Sequence, residues 1–163
     1  MKEEKQRLSE SFLESLSLTW DMYDDAIRET PDEHWRTGEI DYLIPARLIY
    51  HVLEAADFYT RPNSKGYPWG HRFGAAWESI TPDKLPEKSD ARDYLEDVKA
   101  QVEDWVFGMG DEGLLAPEPD YTWTGSTLLC RALYMLAHCR QHLGEINAEL
   151  RRRGLPRIKW RTH

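Results

Sequence analysis

The chain is organised around one stretch, Leu133-Tyr-Met-Leu-Ala-His138-Cys-Arg-Gln-His142-Leu-Gly-Glu145-Ile146. Its apolar residues recur at helical spacing, and residues four apart on an α-helix lie one turn above each other. His138 and His142 can therefore face the same ion. Neutral imidazole is the commonest side-chain metal ligand, but one helix cannot complete a coordination sphere by itself. The stretch therefore predicts a further ligand on another helix.

The best candidate for that ligand is His51, which lies in a second stretch of helical spacing, Ile44-Pro-Ala-Arg-Leu-Ile-Tyr-His51-Val-Leu-Glu54-Ala-Ala-Asp-Phe-Tyr59. On a helix, His51 shares an apolar face with Leu48, Ala55 and Phe58. A histidine on such a face needs a polar partner to be tolerated. The sequence therefore predicts a metal site made by His51, His138 and His142 inside a helical bundle.

The remainder of the chain also has the spacing of helices, and no segment reads as a convincing strand. Four long helices are predicted: Glu3 to Glu29, Pro45 to about Tyr59, a Ser89 cap to Gly108 and Gly110, and a Thr124 cap to a stop at Gly154. A capping-box pattern at Thr30-Pro31-Asp32-Glu33 predicts a short helical turn. These elements predict an all-α four-helix bundle, in one domain of residues 1–163. The long link at residues 60–88 indicates a crossover between the second and third helices.

Composition narrows the class of protein. The chain has 163 residues, of which 40% are apolar and 31% charged, as expected of a soluble globular domain. Its net charge of −8 argues against a nucleic-acid-binding surface. We find no apolar run of membrane-spanning length, and the N-terminal Met-Lys-Glu-Glu-Lys-Gln-Arg does not resemble a signal peptide. Cys130 and Cys139 would lie about 13 Å apart on one helix, too far for a disulfide, so a cytoplasmic location is expected.

Simpler and rival interpretations of the histidines remain open at this point. H-x-x-x-H alone is a weak signal and is often only two partly exposed histidines on a helix. A zincin needs Glu after the first histidine, where this chain has Cys139. Di-iron sites use Glu-x-x-His, the reverse of the order found here, and the other helices offer only acids that look solvent-facing, such as Glu14, Glu103 and Asp104. Cys139 as a nucleophile would point about 100° away from His138, which favours a plain buried thiol.

The chain resembles the DinB-like (DinB/YfiT) superfamily of metal-binding four-helix bundles. The resemblance is carried by His51 on the second helix, by His138-Cys-Arg-Gln-His142-Leu-Gly144-Glu145, and by the ending Arg153-Gly154-Leu155-Pro156. It implies an up-down-down-up bundle, a divalent ion on the three histidines (nickel or zinc) and frequently a homodimer. One position departs from the family, because Glu145 stands where Gln is common. A carboxylate there can orient a ligand imidazole or accept a proton.

The resemblance also implies a function, because the superfamily includes S-transferases and isomerases that use low-molecular-weight thiols such as bacillithiol or mycothiol. It implies a metal-dependent thiol S-transferase acting on a small-molecule substrate, with Glu145 or Glu54 managing protons. The long link would wall the substrate pocket with Trp69, His71, Arg72 and Trp77. Two alternatives stay open: a metal-dependent hydrolase, and a non-enzymatic, stress-related bundle whose ion is structural.

Overall fold

A computed structural model of the protein describes residues 7–163. Within that range the chain forms five α-helices and no β-strand, apart from an isolated bridge between Pro117 and Thr127. The helices are α1 (Arg7–Glu29), α2 (Asp32–Trp35), α3 (Pro45–Tyr59), α4 (Lys88–Leu114) and α5 (Leu128–Arg152). The predicted all-α class is confirmed, and the predicted helix start at Glu3 lies outside the described residues.

Two predicted helix caps are wrong. The side chain of Thr127, not Thr124, accepts the N–H of Cys130 and caps α5. Thr124 ends a 3-10 turn, and Gly125, with φ of 137°, separates that turn from the helix. Helix α4 begins at Lys88, so Ser89 lies inside the first turn and caps nothing.

The turn after α1 forms without its predicted capping box. The hydroxyl of Thr30 donates to the carbonyl of Ala26 at 2.6 Å, which closes α1 rather than capping α2. Pro31 occupies the N-cap position of α2, where no side chain caps the helix. In α4, the predicted stop coincides with a break at Gly110, whose φ is 62°; one further turn then runs to Leu114.

The four long helices pack around a shared core. Helix α1 contacts α4 and α5, and α3 contacts the same two helices. Ser9, early in α1, bonds to Asp111, late in α4. In the core, the Tyr23 hydroxyl of α1 donates to the carbonyl of Cys139 in α5 at 2.6 Å. Cys139 and Cys130 are both free thiols, as their spacing predicts. None of the described helices has the length and apolarity needed to cross a bilayer.

The link between α3 and α4 runs back along α3 and is held there by four buried polar side chains, which we call the polar ladder: Arg47, Tyr50, Glu54 and Asp57. Arg47 donates to the carbonyls of Trp77 and Ile80, and Tyr50 to that of Ala75. Glu54 accepts the N–H of Gly70, and Asp57 the hydroxyl of Tyr67. Residues later in α3 thus bind residues earlier in the link, so the link runs antiparallel to the helix.

At Gly70, both the backbone angle and the lack of space exclude a side chain. Its φ is +85°, in the left-handed region, and a Cβ there would lie 2.4 Å from the backbone of Ala75. Because the Gly70 N–H meets Glu54, this tight turn and the polar ladder depend on each other. Together they fix the course of the link, and with it the position of Trp77.

Candidate metal centre

The three histidines selected from the sequence converge between α3 and α5. Nε2 of His138 lies 3.0 Å from Nε2 of His51 and 3.1 Å from Nε2 of His142. One ligand atom from each of the three residues lies within 4.8 Å of those of the other two. All three side chains are half-buried, so the cluster is neither sealed in the core nor free in solvent.

Glu145 sets the orientation of one imidazole. Its Oε2 accepts a hydrogen bond from Nδ1 of His142 at 2.8 Å, one turn further along α5. An ionised carboxylate only accepts, so the proton of this imidazole is on Nδ1 and the Nε2 lone pair faces the other two histidines. A carboxylate on the outer nitrogen is the usual support of a metal-binding histidine, where it fixes the tautomer and raises the basicity of the ligand.

The environment keeps two of the imidazoles neutral. Burial, together with His138 and His142, lowers the pKa of His51 to about 3. Burial and the neighbouring His142 lower the pKa of His138 to about 4. At neutral pH both rings therefore carry a free lone pair, which is the form that binds metals.

Two of the three separations between the ligand nitrogens, those from His138 to His51 and to His142, fit a shared ion. Nitrogens about 2.1 Å from one ion lie roughly 3.0 to 3.4 Å apart for angles between about 90° and 109° at the ion. The observed 3.0 and 3.1 Å fall in this range. Without a cation, three Nε2 atoms bring more lone pairs together than their protons can satisfy, because His142 has its proton on the other nitrogen. An all-imidazole donor set suits nickel, zinc, cobalt or iron.

Trp77 is the one residue of the link, among the four proposed to line a pocket, that lies against the cluster. Its ring centroid is 3.9 Å from that of His51, with the planes tilted by 34°. It covers one side of the imidazole. Nδ1 of His51 is buried and has no hydrogen-bond partner, so the outer nitrogen of this ring, unlike that of His142, is not supported by a carboxylate.

The other three link residues have their contacts elsewhere. Trp69 packs on Phe58 at 5.0 Å between centroids, two turns beyond His51 on α3. Nε2 of His71 lies 3.3 Å from Asp57, at the far end of the polar ladder.

Arg72 extends towards α4. It pairs with Asp97 at 2.7 Å and lies over the ring of Tyr94 at 4.8 Å. Of the four residues that the resemblance suggested, Trp77 contacts the histidines, and the other three contact other parts of the chain.

Glu54 belongs to the polar ladder. It has no exposed surface, it accepts from Gly70, and its Oε2 is buried without a partner. Burial raises the pKa of Glu54 more than the Gly70 N–H and the nearby His71 lower it. Its surroundings are those of a residue that anchors the link.

The rival arrangements find no support among the described residues. Glu14, Glu103 and Asp104 are exposed, as their positions predict, and the cluster of metal-ligating groups consists of the histidines alone. Cys139 is fully buried, and burial raises the pKa of its thiol to about 12. This thiol is poorly suited to be a nucleophile.

The polar ladder, which positions Trp77 beside the histidines, was not predicted from the sequence. Its signal was nevertheless present: Arg47, Tyr50, Glu54 and Asp57 follow the 3-4-3 spacing of a single helical face, directly beside the apolar face. Polar residues on a second buried face predict partners outside the bundle, here the backbone of the link.

The chain matches a known protein family. A model of the DinB superfamily matches residues 15–146, which is well over half of the chain and includes the three histidines and Glu145. No curated protein and no solved structure matches the chain significantly.

Proposed function

The chain belongs to the DinB superfamily, and we propose that it is a metal-dependent enzyme, a thiol S-transferase acting on a small-molecule electrophile. His51, His138 and His142 would hold a divalent ion, nickel or zinc. The observation that carries the proposal is the convergence of three half-buried imidazoles, in which Nε2 of His138 lies 3.0 and 3.1 Å from Nε2 of His51 and of His142. Three protein ligands leave coordination positions for an exogenous group, which is typical of a catalytic site.

In this proposal each neighbouring residue has a separate task. Glu145 holds His142 in the tautomer that directs Nε2 inwards. Trp77 covers His51 and excludes water from that side. When bound there, the ion supplies a positive charge that favours the thiolate form of a thiol. Of the two carboxylates suggested by the sequence, the half-exposed Glu145 is the better proton acceptor, because Glu54 has no exposed surface.

The proposed transfer exchanges one bond at carbon for another. The thiol gives its proton to solvent, which passes it to Glu145 on the outer side of His142. The sulfur lone pair forms an S–C bond with the electrophilic carbon. The leaving group departs with the electron pair of the bond that breaks, and no oxidant or reductant is needed. A low-molecular-weight thiol such as bacillithiol is the proposed co-substrate.

We also propose the up-down-down-up course of the four long helices. The hydrogen bond between Ser9 and Asp111 favours antiparallel α1 and α4. Two hydrogen bonds favour a parallel arrangement of α3 and α4. Tyr94 bonds to Asp57, and Gln101, two turns later in α4, bonds to Thr60, one turn later along α3. The link is then a crossover. A homodimer in the cytoplasm completes the proposal, and its mass in solution tests the oligomeric state.

The first experiment is elemental analysis of the purified protein, followed by turnover of thiols with chloro-nitroaromatic acceptors. We expect about one equivalent of nickel or zinc, and thiol-dependent release of chloride. His142→Ala should lose both the ion and turnover, while His71→Ala, which alters a histidine outside the cluster, should keep both.

Other results would replace the proposal. Ester or amide hydrolysis without a thiol requirement would make the protein a metal-dependent hydrolase. An ion closed by a further protein ligand, with no turnover of any substrate, would make it a structural metal-binding protein.

A further inference from the structure

Exposed aromatic rings gather at the C-terminal end of α3, the helix that carries His51. Trp69, Trp123 and Tyr134 are 46%, 51% and 41% exposed. Each of them packs against a ring at the end of α3: Trp69 and Trp123 lie 5.0 and 6.4 Å from Phe58, and Tyr134 lies 5.5 Å from Tyr59. Single exposed apolar residues are ordinary, but a connected group of them marks a binding surface. We call these five residues the aromatic shelf.

The shelf continues the two helix faces that carry the histidines. On α3, Phe58 lies seven residues beyond His51 and therefore on the same face, about 10 Å along the axis. On α5, Tyr134 lies one turn before His138, about 6 Å along the axis. The contact of Tyr59 with Tyr134 joins the two helices here, as His51 and His138 join them at the cluster. A molecule bound at the cluster and extending towards these ends of α3 and α5 reaches the shelf.

The shelf rings are held in place before any ligand arrives. Phe58 and Tyr59 are nearly buried, and the buried Tyr121 packs against Phe58, Tyr59 and Trp123. Rings supported in this way lose little conformational freedom when a flat apolar group covers them.

From this continuity we propose that the aromatic shelf is a substrate subsite for an aromatic or flat apolar group, joined to the metal-binding end of the ligand by a spacer of about 6–10 Å. The proposal rests on the proposed function for the direction of the ligand, since the thiol or the electrophile would carry this group. The subsite adds a preference for substrates with an aromatic or flat apolar group, which the histidine cluster alone cannot give.

The test measures binding by calorimetry and tryptophan fluorescence on the zinc-loaded protein, with three probes. They are butanethiol, ω-phenylbutanethiol and ω-phenylbutanol. We expect the phenyl group to tighten thiol binding at least about tenfold. Trp123→Ala and Tyr134→Ala should each weaken ω-phenylbutanethiol about fivefold and leave butanethiol unchanged. Trp160→Ala is the matched control, because Trp160 is 68% exposed and lies over Arg140 instead; it should change neither affinity.

The alcohol separates failure of the subsite from failure of the proposed function. If no thiol binds at the ion but ω-phenylbutanol still binds and loses affinity in Trp123→Ala, the shelf stands and the thiol transferase falls. If both thiols bind equally well and neither shelf variant alters them, the subsite is wrong and the metal centre is untouched. If the shelf variants convert a dimer to a monomer in size-exclusion chromatography without changing any affinity, the shelf is an interface between two copies and the proposal is overturned.

Discussion

Helix α3 carries polar side chains on two of its faces, and these side chains differ in their hydrogen-bond partners. On the face towards the link, every member of the polar ladder bonds to other parts of the protein, and Asp57 accepts from Arg61, Tyr67, Tyr94 and Gln101. Two ladder atoms, Oε2 of Glu54 and Nε of Arg47, lack a hydrogen bond, but they do not converge on one point with other such atoms. On the face towards α5, Nε2 of His51 lies against Nε2 of His138, which also contacts His142, and Nδ1 of His51 has no partner.

Within the fifteen residues of α3, one face therefore holds the link in place, and the other carries a group suited to bind a ligand. Buried polar groups that serve the fold are normally satisfied by protein partners. Groups that remain unsatisfied, and that converge on one point, are positioned for a ligand from outside the chain. The following predictions test whether the two faces of α3 are independent in this way.

The largest effect should come from removing a ligand. His51→Ala should weaken zinc binding by about 4 kcal/mol, roughly a thousandfold, because one of three donors is lost. The metal-free protein should lose less than about 1 kcal/mol of unfolding free energy, since the side chain is half-buried. Competition with a chelator gives the affinity, and urea unfolding gives the stability.

His71→Ala is the control for that variant, because His71 contacts Asp57 and not the cluster. Its zinc affinity should equal that of the unaltered protein. Equal losses of zinc in the two variants would show that the cluster is not the binding site.

The second effect concerns the ladder. Asp57→Ala removes the acceptor of several buried donors and should lower the unfolding free energy by about 3 kcal/mol. Asp57→Asn keeps one acceptor oxygen and should cost less. The zinc affinity of Asp57→Asn, measured without urea so that the protein is folded, should change by less than about threefold. A large loss of zinc affinity there would mean that the two faces of α3 are coupled.

A smaller effect is expected at Glu145. Glu145→Ala removes the hydrogen bond that fixes the tautomer of His142 and should weaken zinc binding by about 10- to 100-fold. Glu145→Gln retains an acceptor and should lie between Ala and the unaltered protein. Unchanged affinity in both variants would leave Glu145 as an ordinary surface residue.

The smallest effect is the response of the ladder to acid. Burial alone would raise the pKa of Asp57, but hydrogen bonds from Gln101, Tyr67 and Arg61 outweigh it and lower the pKa. Below the unfolded value of about 3.9 the unfolded chain therefore binds more protons. The stabilisation by Asp57 is complete above that pH and is lost as the pH falls towards the folded pKa. Urea unfolding between pH 5 and pH 3 should show a shallower loss in Asp57→Asn; equal slopes would contradict this role.

The helical part of the fold could be predicted because amphipathic spacing is a local property. It placed Pro45 and Tyr59 at the ends of α3 and Gly110 at the break in α4. The caps were less accessible. Thr124 and Thr127 are both good capping residues, and the choice between them depends on the backbone of Gly125.

The histidine cluster was predictable for the same reason, since two ligands share one turn and the third lies on an apolar helix face. The course of the link was not, because residues 60–87 have no period. Their position depends on long-range bonds such as that from Gly70 to Glu54. For this reason Trp69 and Arg72 were expected near the cluster but contact Phe58 and Asp97 instead.

The most direct test of the account is an anomalous-diffraction map from crystals of the zinc- or nickel-loaded protein. The account predicts one strong peak about 2.1 Å from Nε2 of His51, His138 and His142, with at least one further position open to solvent or an added thiol. Histidine rings turned apart with no peak between them, or a peak bound elsewhere on the chain, would contradict it.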